Sequence, residues 1–206
     1  MSMQIEVERR DFLYVATGAF ATVGTGFALW PFAAQMNPSA DVIAAAAPVT
    51  VDLAPIQPGQ QISVLWRGHP VFIVNRSQDA LAALKSPVLL ARLRDPASTS
   101  RQQPPYAANW SRSLRPRYLV LIGVCTHLGC IPMFMPQKGS VNEDWLGGYF
   151  CPCHGSKYDL AGRVFKNVPA PLNLPIPPYR FQSDTTLSIG ANPEGQAFSM
   201  SDIEQI

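Results

Sequence analysis

The chain has 206 residues, of which 47% are hydrophobic and 15% charged, with a formal net charge of +2. That length suits one moderate domain with an appendage, and so small a charge gives no case for nucleic acid as a partner. Sparse charge with 20 prolines argues against long soluble helices and for turns and short strands.

Phe12 to Ala34 contains no charged residue. A helix of that length spans about 34 Å, enough to cross a bilayer core. Arg9 and Arg10 precede it, and the next Lys or Arg is Arg67, so the amino terminus is expected in the cytoplasm and the remainder outside. Arg9-Arg10-Asp11-Phe12-Leu13 also reads as a twin-arginine export signal within residues 1–11. That route carries folded proteins, which suits a chain that takes up a cofactor before export. The competing reading is a cleaved signal cut near Ala33-Ala34, against which the apolar run is long. Gly18, Thr22 and Gly26 recur at four-residue spacing, a strip that lets membrane helices approach closely.

Residues 35–48 read as a tether. Pro38 and Pro48 disfavour helix just before them, while the alanines between them form helix readily and bury little. From Val49 onward the pattern is short strands: Thr50–Leu53, Gln61–Trp66 and Val71–Asn75, separated by Pro58-Gly59 and Gly68-His69-Pro70 turns. His69 reads as an ordinary turn residue. Ser77 to Lys85 reads as a short helix capped by Ser77. Residues 95–116 are polar and proline-bearing and read as a solvated surface insertion. Tyr118–Gly123 is the strongest strand in the chain. After a surface loop at 137–148, Tyr149-Phe150, Ser156–Tyr158, Arg163–Phe165, Tyr179–Gln182 and Thr185–Ile189 complete the sheets, with Ser183-Asp184 as a hairpin turn. The fold class is therefore mainly β: one transmembrane helix, then an antiparallel head over 49–206 with a small lobe at one end.

All four cysteines and two of the three histidines lie in two short stretches, Cys125-Thr126-His127-Leu128-Gly129-Cys130 and Cys151-Pro152-Cys153-His154-Gly155-Ser156. Each pairs a thiol with an imidazole at close spacing and adds one further cysteine. Two sulfur and two nitrogen ligands can hold zinc tetrahedrally or the two irons of a [2Fe–2S] centre asymmetrically.

At these residues the chain resembles the Rieske iron–sulfur protein family, specifically its high-potential branch in quinol–cytochrome c oxidoreductases. C-T-H-L-G-C and C-P-C-H-G-S-x-Y match that branch, as do Met36-Asn37-Pro38-Ser39-Ala40-Asp41-Val42 and Pro169-Ala170-Pro171-Leu172-Asn173-Leu174. The resemblance implies a β-sandwich head with a cluster lobe at about 123–172, and one [2Fe–2S] cluster on Cys125, His127, Cys151 and His154. Cys130 and Cys153 then remain, one per loop, as a disulfide. It implies that Ser156 and Tyr158 donate hydrogen bonds to sulfur, and that His154 meets the quinol as the catalytic group. Cytochrome b, a c-type cytochrome and ubiquinol are the implied partners, in a dimeric complex of the bacterial inner membrane with the head periplasmic. One departure is Val168, where many relatives carry glycine, so the loop's backbone is open to difference there. Leu128, Ile131, Pro132 and Pro169-Ala170-Pro171 form the expected apolar cap of the lobe. The competing readings are a Rieske carrier serving a non-quinol enzyme and, from another class, a structural zinc module.

Overall fold

The computed structural model describes residues 9–205; residues 1–8 of the expected signal segment, and Ile206, lie outside the described residues. The chain divides into two compact units, one ending at Ala44 and the other starting at Ala45.

In the first unit, α1 (Arg9–Ala34) runs 26 residues with Asp11 in its first turn, and none of its residues is buried. It is long and apolar enough to cross a membrane. The hydroxyls of Thr22 and Thr25 donate to the carbonyls of Gly18 and Ala21 at 2.8 Å, so neither needs an outside partner in an apolar medium. Pro31 sits inside the helix. A short helix, α2 (Ala40–Ala45), follows the Asn37-Pro38-Ser39 turn. Its first turn closes through Ile43 N donating to Ser39 O at 3.0 Å, so part of the expected tether is helical.

The second unit holds three antiparallel sheets of three strands each. In one, β2 (Gln61–Trp66), β3 (His69–Asn75) and β4 (Tyr118–Ile122) lie side by side. Every residue of β4 is buried, as its unbroken apolar run demands of a strand packed on both faces. The hairpin between β2 and β3 turns on Arg67 and Gly68, both at positive φ (51° and 77°), the two-residue geometry whose twist suits the flanking strands. His69 and Pro70 are therefore strand residues opposite Trp66 and Leu65, not the turn expected from the Gly-His-Pro triplet. A second sheet orders β1 (Val49–Asp52), β9 (Thr186–Ile189) and β8 (Tyr179–Phe181). The third is small: β5 (Met133–Met135), β6 (Gly148–Phe150) and β7 (Lys157–Tyr158). Arg163–Phe165, expected as a strand, contributes only isolated bridges from Val164 to Tyr158 and from Phe165 to Leu93. Among the described residues, the α-helices of this unit are α3 (Gln78–Ala83) and α4 (Pro87–Arg92), with single 3-10 turns at Pro105–Ala107 and Met200–Asp202. Ser77 caps α3 as expected, its hydroxyl accepting from Ala80 N at 3.2 Å, whereas α4 was not anticipated.

Residues 95–116 are the main correction to the sequence reading. Gln102, Ser111, Arg112 and Ser113 are buried, Arg112 completely. The segment is a strap that dips in and out of the interior: its buried polar groups serve backbone groups rather than water, while Ala97, Thr99, Arg101 and residues 108–110 stay exposed, as a surface insertion would. Arg112 sits at φ 50°, a costly conformation for a side-chain-bearing residue. Its guanidinium donates to the carbonyls of Ala161 (3.0 Å), Gly162 (3.2 Å) and Leu174 (2.8 Å) and to Gln103 Oε1 (3.0 Å). Arg76 does the same for Pro116 O and Ser111 O, both at 2.8 Å, and Arg163 pairs with Asp159 at 2.7 Å while donating to Leu84 O at 2.9 Å. Desolvation lowers the pKa of Arg112 to about 9 and of Arg76 to about 10. These cations thus occupy the interior at a cost, which the carbonyls they satisfy offset. Together they tie β3, the strap and the 159–163 turn behind β7 into one body.

Asp95 opens the strap. Burial pushes its pKa up, but N–H donors from Thr99 (2.9 Å) and Ser100 (3.0 Å) and the Thr99 hydroxyl (3.0 Å) together hold it below 3.8.

Two outcomes are expected. Arg112→Met leaves several buried carbonyls without donors and costs about 2–4 kcal/mol in a urea titration of the full chain. A depressed carboxylate pKa contributes stability that is present above the unfolded value and lost as pH falls through the folded one. The stability difference between the native chain and Asp95→Asn is therefore constant at neutral pH and narrows progressively as acid protonates the carboxylate, first in the unfolded chain; a difference that widens in acid contradicts the assignment.

Candidate metal centre

The two Cys/His stretches fold into loops of the same geometry. In the first, Cys125 N donates to Cys130 O (2.8 Å) and Gly129 N to Cys125 O (2.9 Å); in the second, Cys151 N donates to Ser156 O (2.8 Å) and Gly155 N to Cys151 O (3.0 Å). Each six-residue loop thus closes first residue to sixth, with glycine fifth. Gly129 and Gly155 have φ of 81° and 76°, and nothing would meet a Cβ at either, so glycine is demanded by conformation and not by space. The first loop leaves β4 through Gly123, where a Cβ would overlap the Phe72 ring. The second joins β6 to β7, whose ladder sets Phe150 opposite Lys157.

This arrangement sorts the side chains by depth. Cys125 and Cys151 are free thiols and buried; His154 is exposed and His127 half-buried. The two imidazole rings stand edge to face with centroids 4.7 Å apart. Burial, and then the neighbouring Cys125 thiol, raise the pKa of Cys151 despite backbone N–H donors from Cys153 and His154. A bound cation would reverse that direction for Cys151.

Cys130 and Cys153 form a disulfide joining the loops. Their sulfurs lie within 4.8 Å of Cys151 Sγ. A cystine sulfur is not a thiolate, so this trio is not itself a ligand set.

The Tyr158 hydroxyl lies 3.2 Å from Cys125 Sγ, and it accepts from Thr126 N at 3.2 Å. Burial, with the hydrogen bond to Cys125 second, holds the phenol protonated well beyond its ordinary range. The hydroxyl is therefore a donor with Cys125 Sγ in reach. Ser156 is wholly buried, and its Oγ accepts from Ala170 N at 3.0 Å. No protein acceptor for its own hydrogen occurs among the described residues. A buried donor without an acceptor is costly, and the inorganic sulfide or thiolate of an iron–sulfur group would satisfy it. Two buried thiols, two imidazoles nearer the surface, the Tyr158 hydroxyl at Cys125 and the spare hydrogen of buried Ser156 fit a [2Fe–2S] group with mixed nitrogen and sulfur ligation.

The late proline segment packs beside the second loop. Asn167, not Val168, carries the left-handed backbone, at φ 57°. A β-branched valine therefore fits at 168, where it packs half-buried against the core. Asn173 Oδ1 accepts from Val164 N at 2.8 Å and its amide donates to Asp95 O at 3.2 Å. Of the expected apolar cap, Leu128 (71%), Ile131 (58%) and Pro169 are exposed, and Met133 (46%) joins them. Pro132 and Ala170 are instead buried, so the cap is smaller than expected and differently composed. Thr126 was missed: its buried polar groups touch Tyr158 and Leu172, which the motif spacing cannot reveal.

A family model described as "Ubiquitinol-cytochrome C reductase Fe-S subunit TAT signal" matches residues 2–39, and one described as "Rieske [2Fe-2S] domain" matches residues 94–178. The chain is 53% identical over 184 residues to the "Ubiquinol-cytochrome c reductase iron-sulfur subunit" of Allochromatium vinosum, covering 88% of each chain. To the subunit of the same name from Bradyrhizobium diazoefficiens it is 50% identical over 182 residues, covering 88% of this chain and 94% of that one. Among solved structures it is similar to a chain of a "Hyperthermophilic respiratory Complex III", at 25% identity and a TM-score of 0.46, covering 84% of this chain and 98% of that one. Paired loops built around thiols and imidazoles, together with identity above one half along most of the chain, lead to one assignment: the chain belongs to the family of ubiquinol–cytochrome c reductase iron–sulfur subunits, the Rieske proteins.

Proposed function

We propose that Cys125 and Cys151 ligate one iron and His127 and His154 the other, and that the chain takes an electron and a proton together from ubiquinol and delivers the electron to a c-type cytochrome. The observation that carries this reading is the sorting by depth: buried thiols behind two imidazoles that stand together at 4.7 Å on the outside. When bound, a [2Fe–2S] group so ligated supplies a one-electron acceptor at high potential, in the range of roughly −150 to +300 mV.

The chain's own residues do the rest. His154, the more exposed imidazole, presents the ring nitrogen not used in ligation to the quinol hydroxyl and receives its proton. Exposed Leu128 and Ile131 face an apolar quinone pocket and keep water from the contact. Tyr158 donates to Cys125 Sγ and Ser156 donates inward between the loops. Both favour the more negative state and so raise the potential. The Cys130–Cys153 bridge keeps the loops opposed.

In this reading residues 1–11 stay cytoplasmic, 12–34 span the bacterial inner membrane, 35–48 form a tether and 49–206 are a periplasmic head, with its cluster lobe at about 123–172. The apolar α1 after Arg9 and Arg10 supports that orientation. Names of the relatives support a cytochrome partner. Cytochrome b taking the second quinol electron, and a dimeric assembly, belong to the same proposal.

The test is the assembled complex in membranes. Cys125→Ser, Cys151→Ser, His127→Ala and His154→Ala each abolish the mixed-ligand paramagnetic signal and quinol-driven cytochrome c reduction; a variant that keeps both is no ligand. Tyr158→Phe keeps the centre and lowers its midpoint potential by roughly 60 mV, the one-electron equivalent of about 1.4 kcal/mol. An unchanged potential removes Tyr158 from the account.

A further inference from the structure

The residue between the first two proposed ligands, Thr126, has every polar group held by a different part of the chain. Its N–H donates to Tyr158 Oη at 3.2 Å, beyond the second loop. Its hydroxyl donates to Leu172 O at 2.8 Å, in the proline segment. Its carbonyl accepts from Gln205 Nε2 at 2.8 Å, across 79 positions of sequence and outside every motif named above. The first two anchors belong to the cluster lobe; the third does not.

Gln205 is itself held in place. Past β9, Asn192 Nδ2 donates to Phe198 O at 2.9 Å, and Ser199 with Asp202 closes a reciprocal cap, Ser199 N donating to Asp202 Oδ2 at 2.8 Å. Met200 packs against the main core, and Glu204 N donates to Arg101 O at 2.9 Å in the 95–116 segment. The amide of Gln205 thus reaches Thr126 from a fixed base. A peptide plane moves as a unit, so the carbonyl of Thr126 and the N–H of His127 turn together. Fixing that carbonyl fixes the direction in which His127 leaves the backbone.

We infer that Gln205 is a positioning residue for the metal centre: residues 199–205 form a strap whose amide orients the Thr126–His127 peptide, and with it the His127 imidazole. This rests on His127 being a ligand, as proposed above. Without the donor, the loop keeps its own closing hydrogen bonds and the disulfide, so it stays folded but samples more orientations.

The test uses the full cluster-loaded chain and two variants, Gln205→Met and Gln205→Glu, which keep the side chain's length and remove the N–H donor in different ways. Both are expected to speed amide hydrogen exchange in residues 126–130 by roughly fivefold to tenfold, the worth of one hydrogen bond. Exchange in β4 and the midpoint of thermal unfolding should stay as in the unsubstituted chain. Both variants should also shift the g-values of the paramagnetic signal, which a role in general stability would not move. Exchange at 126–130 equal to the unsubstituted chain overturns the inference, as do faster exchange with unchanged g-values and an effect confined to Gln205→Met. If instead the unsubstituted chain shows no mixed-ligand signal, the ligand reading fails, and exchange still reports on the strap.

Discussion

Two buried thiols and two imidazoles 4.7 Å apart attract one another too weakly to set the loops that carry them. The loops carrying Cys125 and Cys151 must therefore be held opposed by something other than the donors they display. That constraint accounts for most of what surrounds them. Each loop closes on itself through the same pair of backbone hydrogen bonds, with a left-handed glycine in fifth place. A disulfide between Cys130 and Cys153 then fixes one loop to the other. The bridge removes loop-closure entropy from the unfolded chain, so it favours the arrangement in which the loops face each other.

Behind the loops the same demand falls on buried cations. The turn after β7 ends several carbonyls inside the protein, and Arg112 and Arg76 reach them from the 95–116 strap and from β3. Arg163 carries the third such charge and alone has a carboxylate, Asp159, against it. Backbone that must bend sharply around a cluster lobe cannot satisfy its own carbonyls by sheet pairing. Long, forked donors from elsewhere in the chain do it instead. The cost of burying them is offset because the alternative is a set of orphaned carbonyls in the same place.

Much of this was legible in the sequence, in proportion to how local the cause was. The strand Gln61–Trp66, the Ser77 cap and the long apolar helix follow from periodicity, capping chemistry and composition, and the structure has them. The pairing of the two Cys/His loops was legible because the chemistry fixes residue type at close spacing. The strap at 95–116 was misread because polar residues usually mean solvent, and nothing nearby in sequence says which carbonyls Arg112 and Gln103 will meet. His69 was misread because Gly-His-Pro suggests a turn, whereas the turn is made one step earlier by Arg67-Gly68. Thr126 and Gln205 were invisible for a third reason: their roles come from a contact across 79 positions, which no pattern along the chain encodes.

The central claim is that these loops present two imidazoles, and not one or none, to the same metal centre. Pulsed paramagnetic resonance on the reduced full chain with only its histidines labelled with nitrogen-15 counts them. The account predicts two distinct, strongly coupled nitrogens, both lost together when the loops are disrupted. A single coupled nitrogen, or a centre coupled to none, would contradict it.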